Sequence, residues 1–198
     1  MKYLVIFAHP NTDSLNGYFK QAICDQLVSD GNEVEVRDLY KLRFDPVLSL
    51  QDMEGQRRGV VSHDVKKEQD FIVQADFILI LHPIWWTGLP AIMKGYIDRV
   101  FSYGFAYRYE AGVQKGLLGG KQVMIINTHG KSSSEYVDTE MDRALSLTSD
   151  LGIYQYCGLE VVQHLYVEKA DRMTAEIAAS WLSRIKKSLT RIGTLSGA

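Results

Sequence analysis

A chain of 198 residues with 46% hydrophobic and 23% charged residues has the composition of a folded globular protein, which excludes intrinsic disorder. Its 22 basic and 24 acidic residues give a net charge of −2, which argues against binding to nucleic acid or to an anionic membrane. The two cysteines, Cys24 and Cys157, belong to no CxxC pair, so neither a disulfide framework nor a structural metal site is expected.

The chain has no feature that marks an export signal or a domain boundary. Its N-terminal apolar run is too short for a signal-peptide core or a bilayer span, so we expect a soluble, unexported, cytoplasmic protein without membrane insertion. No internal repeat and no linker rich in Pro, Gly or Ser interrupts the sequence. We therefore expect one domain over residues 1–198.

The first half of the chain alternates predicted strands with predicted helices. Continuous apolar residues indicate buried strands at residues 3–8 and 77–81, and alternation indicates another at 33–40. Asp13 or Ser14 is expected to cap a first helix, whose apolar positions recur every four residues at Leu15, Phe19, Ile23 and Leu27. Residues 41–59 are expected to be irregular, and residues 64–74 to form a second helix.

The second half continues the alternation after a loop rich in tyrosine and glycine. The loop is expected over residues 102–120, strands over 122–127 and 159–167, a helix within 135–151, and a final helix over 174–189. Five strands that alternate with helices predict right-handed crossovers and a doubly wound parallel sheet with helices on both faces. Such sheets bind ligands at the carboxyl ends of their strands, so the loops that follow the first, third and fourth strands are the candidate site.

The first of these loops, HPNTDSLN, ends where a helix begins. Backbone N–H groups and the positive end of the helix dipole favour an anion there, and short polar side chains add donors. An ordinary helix cap with spare hydroxyls explains the same residues. The loop lacks the GxGxxG pattern of Rossmann dinucleotide sites.

The second loop, HPIWWTG, places two adjacent tryptophans in a turn bounded by proline and glycine. Trp85 and Trp86 could form a wall for a flat conjugated ring, or they could simply cover the end of the sheet. Two adjacent indoles in such a turn favour the wall.

The third loop, NTHGKSS, and the segment FAYRY supply further polar and aromatic groups. A lone loop histidine such as His129 is more often a solvated side chain than a catalyst. Tyr107 and Tyr109 lie two residues apart and share one side if the backbone is extended. They either pack on the sheet or line a pocket.

Five motifs in chain order make the sequence resemble the NAD(P)H:quinone oxidoreductase family of flavoenzymes. They are AHPNTDSLN, DLYKLRFDPVLS, PIWWTGLPAIMKGYIDRVF, FAYRY and YCGLEVV. The resemblance implies a flavodoxin-like fold with strand order 2-1-3-4-5 and a flavin-dependent reductase with NAD(P)H as donor. Two electrons would pass by ping-pong hydride transfer to a quinone, azo or nitroaromatic acceptor.

The resemblance also implies a role for each candidate residue. FAD (or FMN) would be held at its phosphate tail by His9, Ser14, Leu15 and Asn16, along the isoalloxazine by Pro83, Ile84, Trp85, Trp86 and Thr87, and at the pyrimidine end by Asn127, Thr128, His129 and Gly130. Tyr136 would also contact the pyrimidine end and stabilise charge there as the catalytic residue. Tyr107 and Tyr109 would close the acceptor pocket of the partner subunit in a homodimer.

The chain departs from the family at two places. His129-Gly130 stands where relatives often have two glycines, and residues 140–143 lack the histidine that follows the loop tyrosine in mammalian members. The alternative function is a flavin-binding ancillary subunit of a potassium-efflux transporter, which co-purification with a membrane transporter would favour. An electron-carrier flavodoxin is disfavoured by the modest net charge and by FAYRY.

Overall fold

The computed structural model describes residues 1–195, with side chains through residue 190, so the last three residues of the predicted domain, 196–198, lie outside it. The described strands are β1 (Lys2–Phe7), β2 (Glu33–Asp38), β3 (Phe77–Pro83), β4 (Tyr107–Glu110), β5 (Val113–Gly116), β6 (Gln122–Thr128) and β7 (Glu160–Val167). Five of them form a parallel sheet in the order β2-β1-β3-β6-β7. This confirms the predicted doubly wound sheet and its strand order.

Helices cover both faces of this sheet. They are α1 (Leu15–Ser29), α2 (Leu50–Arg57), α3 (His63–Gln74), α4 (Ala91–Val100), α5 (Ser133–Asp138), α6 (Met141–Ser146), a π-helix (Leu147–Gln155), a 3₁₀ turn (Ala170–Arg172) and α7 (Ala175–Leu195). Phe19 and Ile23 of α1 and Ile185 of α7 are buried against one face. Ile72 of α3 and Tyr96 of α4 are buried against the other, so β3 is buried on both sides, as its unbroken apolar run predicts.

Two stretches expected to be irregular contain regular structure. Residues 41–59 include α2, which begins with a capping box in which Ser49 and Asp52 bond each other's backbone N–H groups. The expected loop at 102–120 contains β4 and β5, which form a separate antiparallel hairpin around Ala111 and Gly112, both with positive φ. Tyr107 and Tyr109 of β4 both contact Tyr156, so they share one side of the strand, as predicted.

The prediction of a single helix within residues 135–151 is wrong in detail. The chain forms α5, breaks at Glu140, which has a positive φ of 55°, and continues through α6 into a π-helix. A π-helix adds a residue to each turn and is rare outside functional sites. No helix within residues 1–195 is long and apolar enough to cross a membrane.

Candidate functional site

Three loops meet at one edge of the sheet because β3 lies between β1 and β6 and all three strands are parallel. Parallel strands end at the same edge, and in doubly wound sheets that edge is where ligands bind. The loops are residues 8–14 after β1, residues 84–90 after β3 and residues 129–132 after β6. The topology therefore brings together the loops in which, or directly beside which, most of the predicted site residues lie.

The first loop leads directly into α1. Ser14 is the N-cap, and its Oγ accepts from the backbone N–H of Gly17 at 3.2 Å, which confirms one of the two expected caps. His9 Nδ1 accepts from the Asn11 N–H at 3.1 Å, and the His9 ring lies 5.8 Å from the Trp85 ring. The first turn of α1 carries no acidic residue, so the positive end of its dipole is not neutralised.

Asn16 joins the first loop to the third. Its side chain is buried, and Nδ2 donates to Thr128 Oγ1 at 2.7 Å, while Oδ1 is buried without a partner among the described residues. The helix approaches its own entry loop closely here, because a Cβ at Gly17 would stand 1.8 Å from the carbonyl oxygen of Thr12. Leu15, the first residue of α1, packs against the core on the face of the sheet that α1 covers.

The second loop is a tight two-residue hairpin. Trp85 and Gly88 exchange N–H···O bonds of 3.1 Å in both directions, and Trp86 and Thr87 between them have φ angles of 49° and 56°. Two successive positive φ angles define a type I′ turn, which usually takes asparagine and glycine. The turn is tied to the third loop by the Ile84 N–H, which donates to the Thr128 carbonyl at 2.8 Å.

The tryptophans do not fill the end of the sheet. Trp86 is 99% exposed and Trp85 is 41% exposed, whereas the preceding Pro83 and Ile84 are buried. The explanation that both indoles cover the sheet as apolar filler is therefore wrong for Trp86. Residues with strained backbone cluster at active sites, ligand clamps and switch regions.

The third loop holds a buried histidine. His129 is 3% exposed, its ring stacks on Tyr136 at 4.3 Å, and neither ring nitrogen has a partner among the described residues. The expectation of a solvated side chain at this position is wrong, because backbone bonds from the His129 N–H to Val167 and from the Ala170 N–H to the His129 carbonyl draw the loop inward. Gly130 follows where a Cβ would stand 2.8 Å from Asp171 Oδ1.

Burial sets the protonation of the stacked pair. It lowers the pKa of His129, with the charge of Glu168 opposing the change, so the imidazole is neutral at pH 7. It raises the pKa of Tyr136, with the charge of Lys131 opposing the change, so the phenol keeps its proton. The Tyr136 hydroxyl can therefore donate a hydrogen bond at neutral pH.

A cavity of about 480 Å³ lies between the second and third loops. Thr87 lines it from the hairpin, and Tyr136 lines it from α5. Its other lining residues are Lys131, Glu135, Asp138, Thr139 and Met141. Two predicted site residues from distant parts of the chain thus face one space.

Tyr107 lies away from this cavity. It lines a separate groove of about 700 Å³ with Tyr103 and Tyr156, between the β4–β5 hairpin and the α2 and α4 helices. Tyr109 is exposed beside it, and its hydroxyl lies 3.0 Å from that of Tyr156. Within one chain, the structure does not bring these tyrosines to the other predicted site residues.

A polar cluster beneath the site was not predicted. Asn127 does not point toward the cavity but bonds inward to His82 and His164, and His164 in turn bonds Asp150 of the π-helix. His82 follows a run of apolar residues in β3, and a histidine at the end of such a run is the one sequence signal that marks this cluster.

Comparisons with known proteins identify the fold and the family. Residues 1–189 match the family described as having a flavodoxin-like fold. An uncharacterised NAD(P)H oxidoreductase of Haemophilus influenzae is 40% identical over 90% of this chain and 93% of its own length. NAD(P)H dehydrogenase [quinone] 1 of Cavia porcellus is 31% identical over 92% of this chain and 75% of its own.

A solved structure shows the same similarity in three dimensions. The NAD(P)H:quinone oxidoreductase of Methanothermobacter marburgensis superposes with a TM-score of 0.84 and 25% identity. The superposition covers 95% of this chain and 96% of that one.

Proposed function

The chain belongs to the NAD(P)H:quinone oxidoreductase family with its flavodoxin-like fold, and from this premise we propose a flavin-dependent enzyme that reduces quinones and related azo or nitroaromatic acceptors. As a member of this family it is an oxidoreductase of the NAD(P)H dehydrogenase (quinone) type. Two electrons would be transferred by a ping-pong scheme, in which NAD(P)H and the acceptor use the site in turn.

The observation that carries this proposal is the cavity of about 480 Å³ lined by Thr87 of the tryptophan hairpin and by Tyr136. The same stiff turn exposes the Trp86 indole at the carboxyl edge of a doubly wound sheet, and an aromatic group held there suits a flat conjugated ring. A cavity of this size is within the range of small-molecule sites.

Buried polar atoms without partners support a fit to a flavin. Asn16 Oδ1 in the first loop and both ring nitrogens of His129 in the third loop have no partner among the described residues. Buried polar groups are otherwise nearly always hydrogen-bonded, so each of these is a position where a ligand would supply the missing bond. The two residues lie in the loops proposed for opposite ends of the cofactor.

The three loops would divide the cofactor between them. The N-terminus of α1 and the loop residues His9, Ser14, Leu15 and Asn16 would hold the phosphate-bearing tail, because free N–H groups and the helix dipole favour anions. Pro83, Ile84, Trp85, Trp86 and Thr87 would lie along the isoalloxazine. Thr128, His129 and Gly130 would form the pocket for its pyrimidine end, with the Asn127 side chain bonded inward beneath them.

When bound, a flavin supplies the hydride-accepting and two-electron chemistry, and the chain supplies orientation and electrostatics. The Tyr136 hydroxyl, which stays protonated because burial raises its pKa, would donate a hydrogen bond to the pyrimidine end and so stabilise negative charge there. Exposed Trp86 would shield the ring from water. FAD and FMN carry the same ring, and both belong in the test.

We also propose that residues 1–198 form one cytoplasmic domain that works as a homodimer. The groove of about 700 Å³ is bordered by exposed apolar side chains of Leu48 and Met53, with Val47 and Leu50 nearby, and apolar patches of this kind mark interaction sites. A second copy seated there would bring Tyr107 and Tyr109 to a partner's acceptor pocket. Light scattering should then give twice the mass of the 22.4 kDa chain.

The enzymatic test is oxidation of NADH or NADPH by the flavin-loaded chain with menadione as acceptor. Initial rates with both substrates varied should give parallel double-reciprocal lines. Tyr136→Phe should lower kcat/KM roughly tenfold to a hundredfold without loss of bound flavin, since it removes one donor to developing charge. Tyr18→Phe, an exposed tyrosine of α1, should leave the rate unchanged.

Two results would contradict the proposed function. One is protein that stays free of flavin after purification with saturating FAD and FMN. The other is flavin-loaded protein that oxidises neither NADH nor NADPH in the presence of quinone, azo and nitroaromatic acceptors.

A further inference from the structure

A buried polar chain runs beneath the candidate site from the π-helix to the end of β3. Asp150 Oδ1 lies 2.6 Å from His164 Nδ1, and His164 Nε2 lies 2.7 Å from Asn127 Oδ1. Asn127 Nδ2 then reaches the His82 carbonyl and the His82 Nε2, both at 3.1 Å. The His164 side chain is 5% exposed, and Asn127 and His82 are buried.

The direction of these bonds is fixed at Asn127. Its Nδ2 must face the His82 carbonyl, which can only accept, so its Oδ1 faces His164. An amide oxygen only accepts, and His164 Nε2 must therefore donate. The Asn127 orientation thus selects which nitrogen of His164 carries hydrogen.

The π-helix supplies the group that holds the other nitrogen. The Asp150 carboxylate accepts from the Ser146 hydroxyl at 3.1 Å and from the Ser149 hydroxyl at 3.2 Å. Its Oδ1 also lies against His164 Nδ1, beside which the Tyr166 hydroxyl lies at 3.1 Å. His164 is held at both ring nitrogens, and its ring cannot turn without loss of one contact.

His164 is connected to both walls of the candidate site. Through Asn127 it is linked to the His82 carbonyl, just before the hairpin. Two residues later, the Ile84 N–H donates to the Thr128 carbonyl at 2.8 Å and so ties the hairpin to the third loop. On the other side its ring stacks on Tyr166 at 4.1 Å, and Tyr166 lies 6.5 Å from His129, which stacks on Tyr136. The described residues contain no other side chain that contacts Asn127, Asp150 and Tyr166 together.

We propose that His164, oriented by Asp150, is a positioning residue that fixes the hairpin and the third loop relative to each other through its Nε2 bond to Asn127. Its consequence for flavin affinity rests on the function proposed above. The positioning itself belongs to the free protein, so it can be tested without a cofactor.

Two amide side chains substituted for His164 test its two hydrogen bonds separately. Glutamine in its place can present its Nε2 amide group where the His164 Nε2 stood and can keep the donor to Asn127, while the bond to Asp150 is lost. Asparagine can keep the bond to Asp150 and loses the donor to Asn127. Both substitutions remove the stack on Tyr166, so His164→Gln and His164→Asn are matched controls for each other.

The readouts are amide hydrogen exchange of Ile84 in the flavin-free protein and the Kd for FMN. Loss of one buried hydrogen bond corresponds to about tenfold in an equilibrium. In His164→Asn we expect Ile84 exchange about tenfold faster and FMN binding about tenfold weaker. In His164→Gln both should stay within about threefold of wild type, although this variant unfolds at the lower temperature because Asp150 loses its hydrogen-bond partner.

A purely structural role would give the opposite order, with His164→Gln the more impaired in both readouts, and that result or equal effects in the two variants would overturn the proposal. Should His164→Asn fail to fold, Asn127→Ala removes the same bond and must accelerate Ile84 exchange about as much. A wild-type chain that binds no FMN or FAD would refute the proposed function alone, since the exchange data still decide the positioning role.

Discussion

Trp86 and Thr87 occupy left-handed backbone at the tip of the hairpin, where Asn-Gly would be the unstrained choice. Each non-glycine residue in this conformation costs about 1–2 kcal/mol, and Thr87 is β-branched, which makes the strain worse. Strain of this kind persists where the surrounding structure and a function maintain it. The turn therefore lowers the stability of the protein and holds the Trp86 indole exposed to solvent.

Thr87→Gly should stabilise the protein by about 1 kcal/mol, because glycine adopts a positive φ without steric cost. Urea unfolding monitored by circular dichroism measures the change. Thr139→Gly is the matched control, since Thr139 is also exposed but has a φ of −105°. A Thr87 variant that is no more stable than wild type would show that the turn is unstrained.

His82 predicts a pH dependence of stability. Burial lowers its pKa to about 4, with the positive field of His164 adding to the shift, against about 6.5 in an unfolded chain. Below pH 6.5 the unfolded state therefore binds a proton that the native state does not. The stability is fully present above pH 6.5 and falls as pH drops toward 4, by about 3 kcal/mol in total.

His82→Gln should abolish that loss, so its stability relative to wild type should improve by about 3 kcal/mol between pH 6.5 and pH 4. Urea unfolding at a series of pH values gives the two curves. His63→Gln, an exposed histidine at the start of α3, should keep the wild-type slope. Parallel curves for His82→Gln and wild type would contradict a buried neutral His82.

His129 shows why the burial of a single side chain is harder to predict from sequence than a helix or a strand. A histidine in a polar loop is usually solvated, and nothing near it in the sequence says otherwise. Its burial depends on backbone bonds to Val167 and Ala170, about forty residues later in the chain. Contacts of such range arise from the packed fold and leave no local pattern.

Single elements were predictable where their own residues determine them. The unbroken apolar runs of β1 and β3 predict strands that are buried on both faces. The four-residue spacing of apolar residues along α1 predicts both a helix and its buried face. The polar sequence of α2 has no apolar stripe, and this helix depends instead on its capping box and on Arg99. The π-helix likewise has no sequence period of its own.

Arg99 of α4 should contribute strongly to stability. Its guanidinium bonds Asp64 at 2.7 Å, the Asp45 carbonyl at 2.8 Å and Asp52 at 3.2 Å, and so joins α2 and α3 to α4. Removal of one partner of a buried ion pair costs about 3–5 kcal/mol, and the half-exposed Asp64 places Arg99→Ala near the lower end.

The control for Arg99→Ala is Lys94→Ala, which breaks the exposed pair of Lys94 and Asp98 on the same helix. That change should stay within about 0.5 kcal/mol of wild type. Thermal unfolding of both variants measures the difference. Equal stabilities would mean that α2 is held by its own cap and not by Arg99.

At the scale of the whole molecule, the doubly wound sheet and the edge that carries the site follow from alternation and handedness, whereas the strand order was predictable only through the family resemblance. Topology also brought His9 beside Trp85 and Asn16 beside Thr128, so three separate stretches of the chain meet. The chain from Asp150 to His82 was not predictable, because it depends on the register of β6 and β7 and on the pitch of a π-helix.

The central claim is that a flavin lies against the tryptophan hairpin at this edge, and the most direct measurement is an equilibrium titration of the flavin-free chain with FMN and FAD. We predict one flavin per chain, with an affinity that falls at least about tenfold in Trp85→Ala/Trp86→Ala, since stacking on an aromatic is worth on the order of 1 kcal/mol or more per ring. Trp181→Phe, on α7, should bind as wild type does. A wild-type chain that binds neither flavin, or a double variant with wild-type affinity, would contradict the claim.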